Sequence, residues 1–212
     1  MNESLAGLGY VQDADTGVWR KPGFTGISYS DGDEVETRIG AAIDACGDRR
    51  VLSGQLRRHC IDWPSRYHLS AVRANLLRPF EPSLSQAGAE VLEIGAGCGA
   101  ITRYLGECGA RVLALEGSLR RASIARRRTA GLNNVTVLAE DFNRFDTAQR
   151  FDVTLIGVLE YATLFVGSEH PSATCSAGCA ACRNPVACWC WRSRTSWASS
   201  TLPVRPRITW GC

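Results

Sequence analysis

Gly95, Gly97 and Gly99 form a GxGxG turn directly after the short apolar run Val91-Leu92-Glu93-Ile94, and a stretch of helical character, Ala100 to Glu107, follows at once. Glycines at a strand-to-helix turn let the backbone bend sharply and let a ligand come within contact distance of the main chain. Such a turn is a nucleotide-type cofactor site. An acid, Glu93, stands two places before the first glycine, and further acids follow downstream. Glu116 comes 21 residues after Gly95, ahead of Gly117 and Ser118. A carboxylate at that position can accept both ribose hydroxyls. Next comes Glu140-Asp141-Phe142. An acceptor beside an aromatic ring suits adenine, whose amino group donates and whose ring stacks. The last group is Gly157-Val158-Leu159-Glu160-Tyr161.

The elements that must position these residues alternate. After the glycine turn come a strand over 111–115, a helix over 119–129, a strand over 135–138 and a nearly continuous apolar run over 151–158. Continuous apolar runs mark strands covered on both faces. The βαβ order predicts an α/β fold, a parallel doubly wound sheet with right-handed crossovers whose ligands bind at the carboxyl ends of the strands. The sheet so read is incomplete after the fourth strand. Ahead of it, residues 1–87 read as a mainly helical extension. Residues 1–33 are turn-rich with a small hairpin. A helix is expected over 34–46 from Val35, Ile39, Ala42, Ile43 and Cys46, a second around Leu52, Leu56 and Cys60, and a third over 67–77 after a break at Pro64. Pro79 and Pro82 mark a linker into the cofactor-binding domain, 88–174.

Bulk properties exclude several classes. No apolar run approaches a membrane span, and the N-terminus lacks a basic start followed by an apolar stretch, so no signal peptide and a cytoplasmic location are expected. The net charge of +3 comes from the last 38 residues, which hold five Arg and no acid; the rest carries 19 basic and 21 acidic residues. The body is not a nucleic-acid binder by charge. Arg120, Arg121, Arg126, Arg127 and Arg128 read as the solvated face of one helix. His68 and Glu160 are the candidate bases for any step that needs a proton removed.

The fingerprint Gly95-x-Gly97-x-x-Ala100 is shared with NAD-binding proteins, so an NAD(P)-dependent oxidoreductase on a related fold stays open, as does a non-catalytic binding module. Taken in order, VLEIGAGCGAITRYL, ALEGS, AEDFNRF and FDVTLIGVLEY resemble the class I S-adenosylmethionine-dependent methyltransferases over about residues 88–165. The resemblance implies S-adenosyl-L-methionine as cofactor and no metal. It places Gly95, Ala96, Gly97 and Gly99 against the methionine portion, Glu93 at its amino group, Glu116 with Gly117 at the ribose, and Asp141 with Phe142 at the adenine. The run from Tyr67-His68-Leu69-Ser70 to Asn75-Leu76-Leu77-Arg78-Pro79 weakly resembles bacterial methyltransferases tied to surface-sugar pathways. The fourth strand end has no Asn-Pro-Pro-Tyr motif, so the implied acceptor is a small molecule or sugar rather than a nucleic-acid base.

From Cys175 the chain changes character, with six Cys, four Trp and no Asp, Glu or Lys over 175–212. Such a tail is expected to be disordered as written. A zinc site needs paired CxxC units, and only Cys179-Ala180-Ala181-Cys182 has that form. A shifted reading frame accounts for the composition better. Cys188-Trp189-Cys190-Trp191 must be encoded TGY-TGG-TGY-TGG. Read one base earlier, the last three codons give Leu-Val-Leu, and the surrounding bases can read Pro-Gly-Gly-x-Leu-Val-Leu-Ala, a turn entering a buried strand. The family resembled has a Pro-Gly-Gly turn at that place. Sequencing the DNA across codons 165 to 212 is expected to reveal this second frame; a gene without it shows the tail to be genuine.

Overall fold

The computed structural model describes residues 1–28 and 30–157 and the backbone of Cys188–Cys190. The chain opens with α1 (Asn2–Gly7) and a two-strand hairpin, β1 (Val11–Gln12) and β2 (Trp19–Arg20). Three helices follow: α2 (Asp33–Ala45), α3 (Gly54–Arg58) and α4 (Trp63–Leu69). A 3-10 turn, Ala71–Leu76, a second one, Arg78–Phe80, and the short α5 (Glu81–Leu84) lead into the sheet. Then come β3 (Glu90–Ile94), α6 (Ala100–Glu107), β4 (Arg111–Glu116), α7 (Leu119–Arg128), β5 (Val135–Ala139), a 3-10 turn at Phe142–Arg144, β6 (Val153–Ile156) and β7 (Cys188–Cys190).

The strands form one sheet in the order β1-β2-β5-β4-β3-β6-β7. Every pairing from β2 to β7 is parallel; only β1 and β2 run antiparallel. Successive strands β3, β4 and β5 step one way and β6 lies on the other side of β3. The chain order therefore reverses at the β3–β6 junction, where a crevice opens at the strand ends. The expected hairpin does more than fill a loop: β2 joins β5 and extends the sheet. Beyond the fourth strand of the domain, β6, lies the short β7, with Leu155 opposite Trp189, so the apolar edge left by the sequence reading is paired over these residues.

Both sheet faces are covered, as a parallel sheet requires. Val91, Val112, Ala114, Val135 and Val137 pack under α6 and α7. On the other face Leu92, Ile94, Leu113, Leu115 and Leu138 pack with Leu5 of α1 and Tyr10. The extension is a third cluster: Ile39 and Ile43 of α2 meet Leu56, Leu69 and Ile124 of α7.

Two local expectations are corrected. Pro64 does not break a helix; it lies in the first turn of α4, where a missing N–H costs nothing. Asp62 caps that turn by accepting from the Ser65 N–H at 2.9 Å. The single helix expected over 67–77 is divided at Ser70, whose backbone is extended and whose hydroxyl accepts from the Val72 N–H at 3.1 Å.

The arginines of α7 are a solvated face only in part, since Arg121 and Arg128 are buried. Arg120 pairs with Asp33, Arg121 with Glu36 at 2.7 Å and Asp31 at 2.9 Å, and Arg127 with Asp44. Arg128 is fully buried, and its Nη1 and Nη2 donate to the carbonyls of His68 and Leu69. Those carbonyls end α4, where unpaired acceptors and the helix dipole both favour a cation. Burial pushes the Arg128 pKa down to about 10, so it stays charged at neutral pH. Arg128→Met is expected to destabilise the fold by about 2 kcal/mol or more, because it orphans buried carbonyls. Arg127→Ala, which breaks a half-exposed pair, is expected to change stability by less than about 1 kcal/mol. Urea denaturation of the two variants checks the contrast; equal losses contradict it.

Candidate functional site

The glycine turn lies between β3 and α6. Gly95, Gly97 and Gly99 have φ of 79°, 56° and 79°, a region that L side chains rarely adopt. Gly99 is also pressed against α7: a Cβ there would lie 2.9 Å from Cα of Ala125. The first half of the turn is tied to the end of β4, since the N–H groups of Gly95 and Ala96 donate to the Leu115 carbonyl at 2.8 and 3.0 Å. The second half is held by Glu116. Its Oε2 accepts from the Gly97 N–H at 2.7 Å and its Oε1 from the Ser118 N–H at 2.9 Å. A single carboxylate thus braces the turn and the start of α7. Burial raises the Glu116 pKa, with the two amide donors opposing.

Glu93 alternates with Leu92 and Ile94 and so falls on the α6 side of the sheet. It is buried, and Thr102 of α6 donates to its Oε2 at 2.6 Å. Burial pushes its pKa up to about 7; the Thr102 hydroxyl and the charge of Arg73 pull the other way. Gly157, just after β6, closes the crevice from the far side. Its N–H donates to the Ile94 carbonyl at 2.7 Å, and a Cβ there would lie 3.1 Å from the Gly95 oxygen. A side chain there would press on that oxygen.

His68 is brought to this place by the extension. Its ring lies beside Gly97, whose Cβ, if present, would be 3.9 Å from His68 Cε1. Nε2 is 2.8 Å from Asp31 Oδ2, and the buried Nδ1 has no hydrogen-bond partner. Burial lowers the His68 pKa, with Asp31 opposing. Asp31 also pairs with Arg121, which pairs with Glu36. Sequence reasoning missed Asp31, Glu36 and Arg121 as neighbours of the site. They come together across about ninety residues, and no short-range spacing signals it.

Other anticipated positions fare differently. Gly117 is covered by Ile27, whose N–H donates to the Gly117 carbonyl at 2.9 Å and whose Cδ1 would sit 2.4 Å from a Cβ at Gly117. Asp141 caps the 3-10 turn that follows it, accepting from the Asn143 N–H at 2.9 Å. Phe142 is half-buried against the sheet-face cluster of Leu92 and Leu113. Glu140, which precedes them, is buried and accepts from the Tyr10 hydroxyl at 3.1 Å. Glu160 lies outside the described residues. Among the described residues no helix is long and apolar enough to cross a membrane.

Residues 91–166 match a methyltransferase-domain family. Solved structures similar to this chain include the N-terminal domain of EvdMO1 with SAH bound, at 31% identity over 42% of this chain and 39% of that one, TM-score 0.37. Another is the N-methyltransferase NodS from Bradyrhizobium japonicum with S-adenosyl-l-homocysteine, at 24% identity over 69% of this chain and 66% of that one, TM-score 0.44. A third is an amino pentose methyltransferase from Micromonospora echinaspora, SAM-bound, at 22% identity over 50% and 43%, TM-score 0.40. This chain spans less than half the length of the first and third of these structures, 39% and 43%, and 66% of the second. A search of curated protein sequences finds no match.

The raised pKa of Glu93 makes a signed prediction. The folded state holds this proton more tightly than the unfolded chain. The stability it contributes is therefore intact below the ordinary Glu value and is lost as pH rises through about 7. Glu93→Gln is expected to be neutral near pH 4 and stabilising at pH 8 by on the order of 3 kcal/mol. Thermal melts across that range test it; a difference independent of pH contradicts it.

Proposed function

We propose that this chain, whose residues 91–166 match a methyltransferase-domain family, is a class I S-adenosylmethionine-dependent methyltransferase that binds S-adenosyl-L-methionine at the carboxyl ends of β3 and β4 and transfers its methyl group to a small-molecule or sugar acceptor. The observation that carries the reading is the pair of buried carboxylates flanking the glycine turn, Glu93 and Glu116. A dinucleotide would set a doubly negative pyrophosphate at this turn and the start of α6, next to the buried Glu93, at several kcal/mol of repulsion in a medium of low polarity. A cofactor bearing an ammonium and a sulfonium reverses that sign. The residues fit such a group: Glu93 has no cation paired to it among the described residues, and His68 Nδ1 has no partner.

In this reading Gly95, Ala96, Gly97 and Gly99 line the methionine portion, Glu93 takes its ammonium, and Glu116 keeps lone pairs free for the ribose hydroxyls while it braces the turn. Asp141 and Phe142 serve the adenine, with Asp141 giving one lone pair to its own cap. The cofactor supplies a carbon already activated for displacement by its positive sulfur. The protein's part is to align it with the acceptor and keep water out. The acceptor is assigned to small hydroxyl or amine compounds because α7, the basic segment of the body, has committed Arg120, Arg121, Arg127 and Arg128 to partners within the fold. They leave no cationic stripe for a polyanion.

Calorimetric titration of the chain is expected to give saturable binding of S-adenosylhomocysteine and none of NAD. Glu116→Ala is expected to weaken that binding at least tenfold through loss of both the ribose acceptor and the brace on Gly97. Binding of NAD instead, or unchanged affinity in Glu116→Ala, overturns the reading.

A further inference from the structure

The apolar side chains left in solvent are not spread evenly. Among the described residues seven large apolar side chains are exposed, and five of them, Leu52, Ile61, Trp63, Val72 and Leu76, lie in the helical extension between residues 52 and 76. Single exposed apolar groups are ordinary, whereas a concentration of them marks a contact surface. Two of the five stand at one tight corner. α3 ends at Arg58, the chain turns through His59, Cys60 and Ile61, and α4 begins at Trp63. The Ser65 hydroxyl accepts from the Ile61 N–H at 2.9 Å and from the Asp62 N–H at 3.0 Å, and Asp62 caps α4. The corner so tied holds Ile61 72% and Trp63 61% exposed.

The same corner is cationic. Arg57, Arg58 and Arg66 are exposed and make no ion pair among the described residues. The only acid in the stretch 57–66, Asp62, pairs with Arg38. The two helices bring their charges close together at Cys60, whose Sγ lies 3.7 Å from the Leu56 carbonyl of α3 and 3.9 Å from the Ser65 carbonyl of α4. Burial raises the Cys60 pKa, and the charges of Arg128, Arg66 and Arg57 oppose it. The arginines Arg120, Arg121 and Arg127 of α7, by contrast, have carboxylate partners.

We propose that this corner docks the chain on an anionic lipid bilayer, with Ile61 and Trp63 entering the headgroup layer and Arg57, Arg58 and Arg66 meeting lipid phosphates. An aromatic beside an aliphatic suits the boundary between headgroups and acyl chains, where tryptophan is enriched. Each arginine near a negatively charged leaflet adds an attraction that fades within a Debye length. Such a contact lies on the membrane and requires no spanning helix. A nucleic acid would reward the arginines and the indole but leave Ile61 in water. The chain's own residues 175–212 hold five Arg and no acid, so their charge repels the corner. α4 carries Trp63 at its start and His68, beside the glycine turn, near its end, so the docked surface lies about 8 Å along the helix from the crevice. Docking of this kind is independent of which cofactor fills that crevice.

The full chain is tested by sedimentation with vesicles of phosphatidylcholine alone and of phosphatidylcholine mixed with phosphatidylglycerol. It is expected to bind the anionic vesicles at least about tenfold more tightly than the neutral ones, and to lose most of that preference at about 1 M salt. The double variant Ile61→Ser, Trp63→Ser is expected to weaken binding to anionic vesicles at least about tenfold. The triple variant Arg57→Gln, Arg58→Gln, Arg66→Gln is expected to bind them no better than neutral vesicles. Lipids brominated along the acyl chain are expected to quench the tryptophan fluorescence of the wild-type chain, and to quench Trp63→Phe less. Absence of binding to either vesicle, equal binding to both, binding unchanged in both variants, or equal quenching of wild type and Trp63→Phe overturns the proposal. So does capture of single-stranded RNA in place of vesicles, which makes a nucleic acid the occupant, or self-association that the variants abolish, which makes it a second copy.

Discussion

A guanidinium buried without a carboxylate partner has few places to go. Arg128 solves this with the last carbonyls of α4, those of His68 and Leu69. The solution works in both directions. The helix end needs donors for acceptors that no intrahelical amide can reach, and the arginine needs acceptors that water cannot supply inside the protein. Because α7 is fixed to the sheet through Ala122 and Ala125, the end of α4 is fixed as well. The side chain of His68 is thereby delivered to the glycine turn.

Around that anchor the extension is joined to α7 by charge. Asp31 and Glu36 meet Arg121, and Asp33 and Asp44 meet Arg120 and Arg127 nearer the solvent. The exposed pairs add little energy, but the buried pair is sensitive to geometry, because removing either partner strands the other. That makes it a device for register. It holds Asp31 where it can accept a hydrogen bond from His68 Nε2, and so leaves the buried Nδ1 without a hydrogen-bond partner.

The parts of this arrangement legible in the sequence are those set by local rules. The helix at 100–107 has its anticipated bounds, and the strands at 111, 135 and 153 lie within two residues of the positions marked by apolar runs. The glycine turn was readable because positive φ and close approach restrict the residue type. Pro64 is not legible as a helix start because a proline's effect depends on whether it falls in the first turn or the interior, and the Asp62 cap decides that. The arginines of α7 were misread because charge along one helix carries no record of acids eighty residues earlier.

The site is unstable by its own charges. Glu93 and Glu116 are held below α6 and beside the turn, each with its ionised form disfavoured by burial. At Glu93 an apolar residue would avoid that cost, whereas Glu116 repays part of it by accepting from the Gly97 and Ser118 N–H groups. Local rules broken at a particular place mark function when a ligand restores the balance. Here a cation near Glu93 would do so. The same empty valences that weaken the protein alone are then what distinguish one cofactor from another, since a pyrophosphate would add to the imbalance and an ammonium removes it. Selectivity and instability are in this respect two readings of one set of side chains.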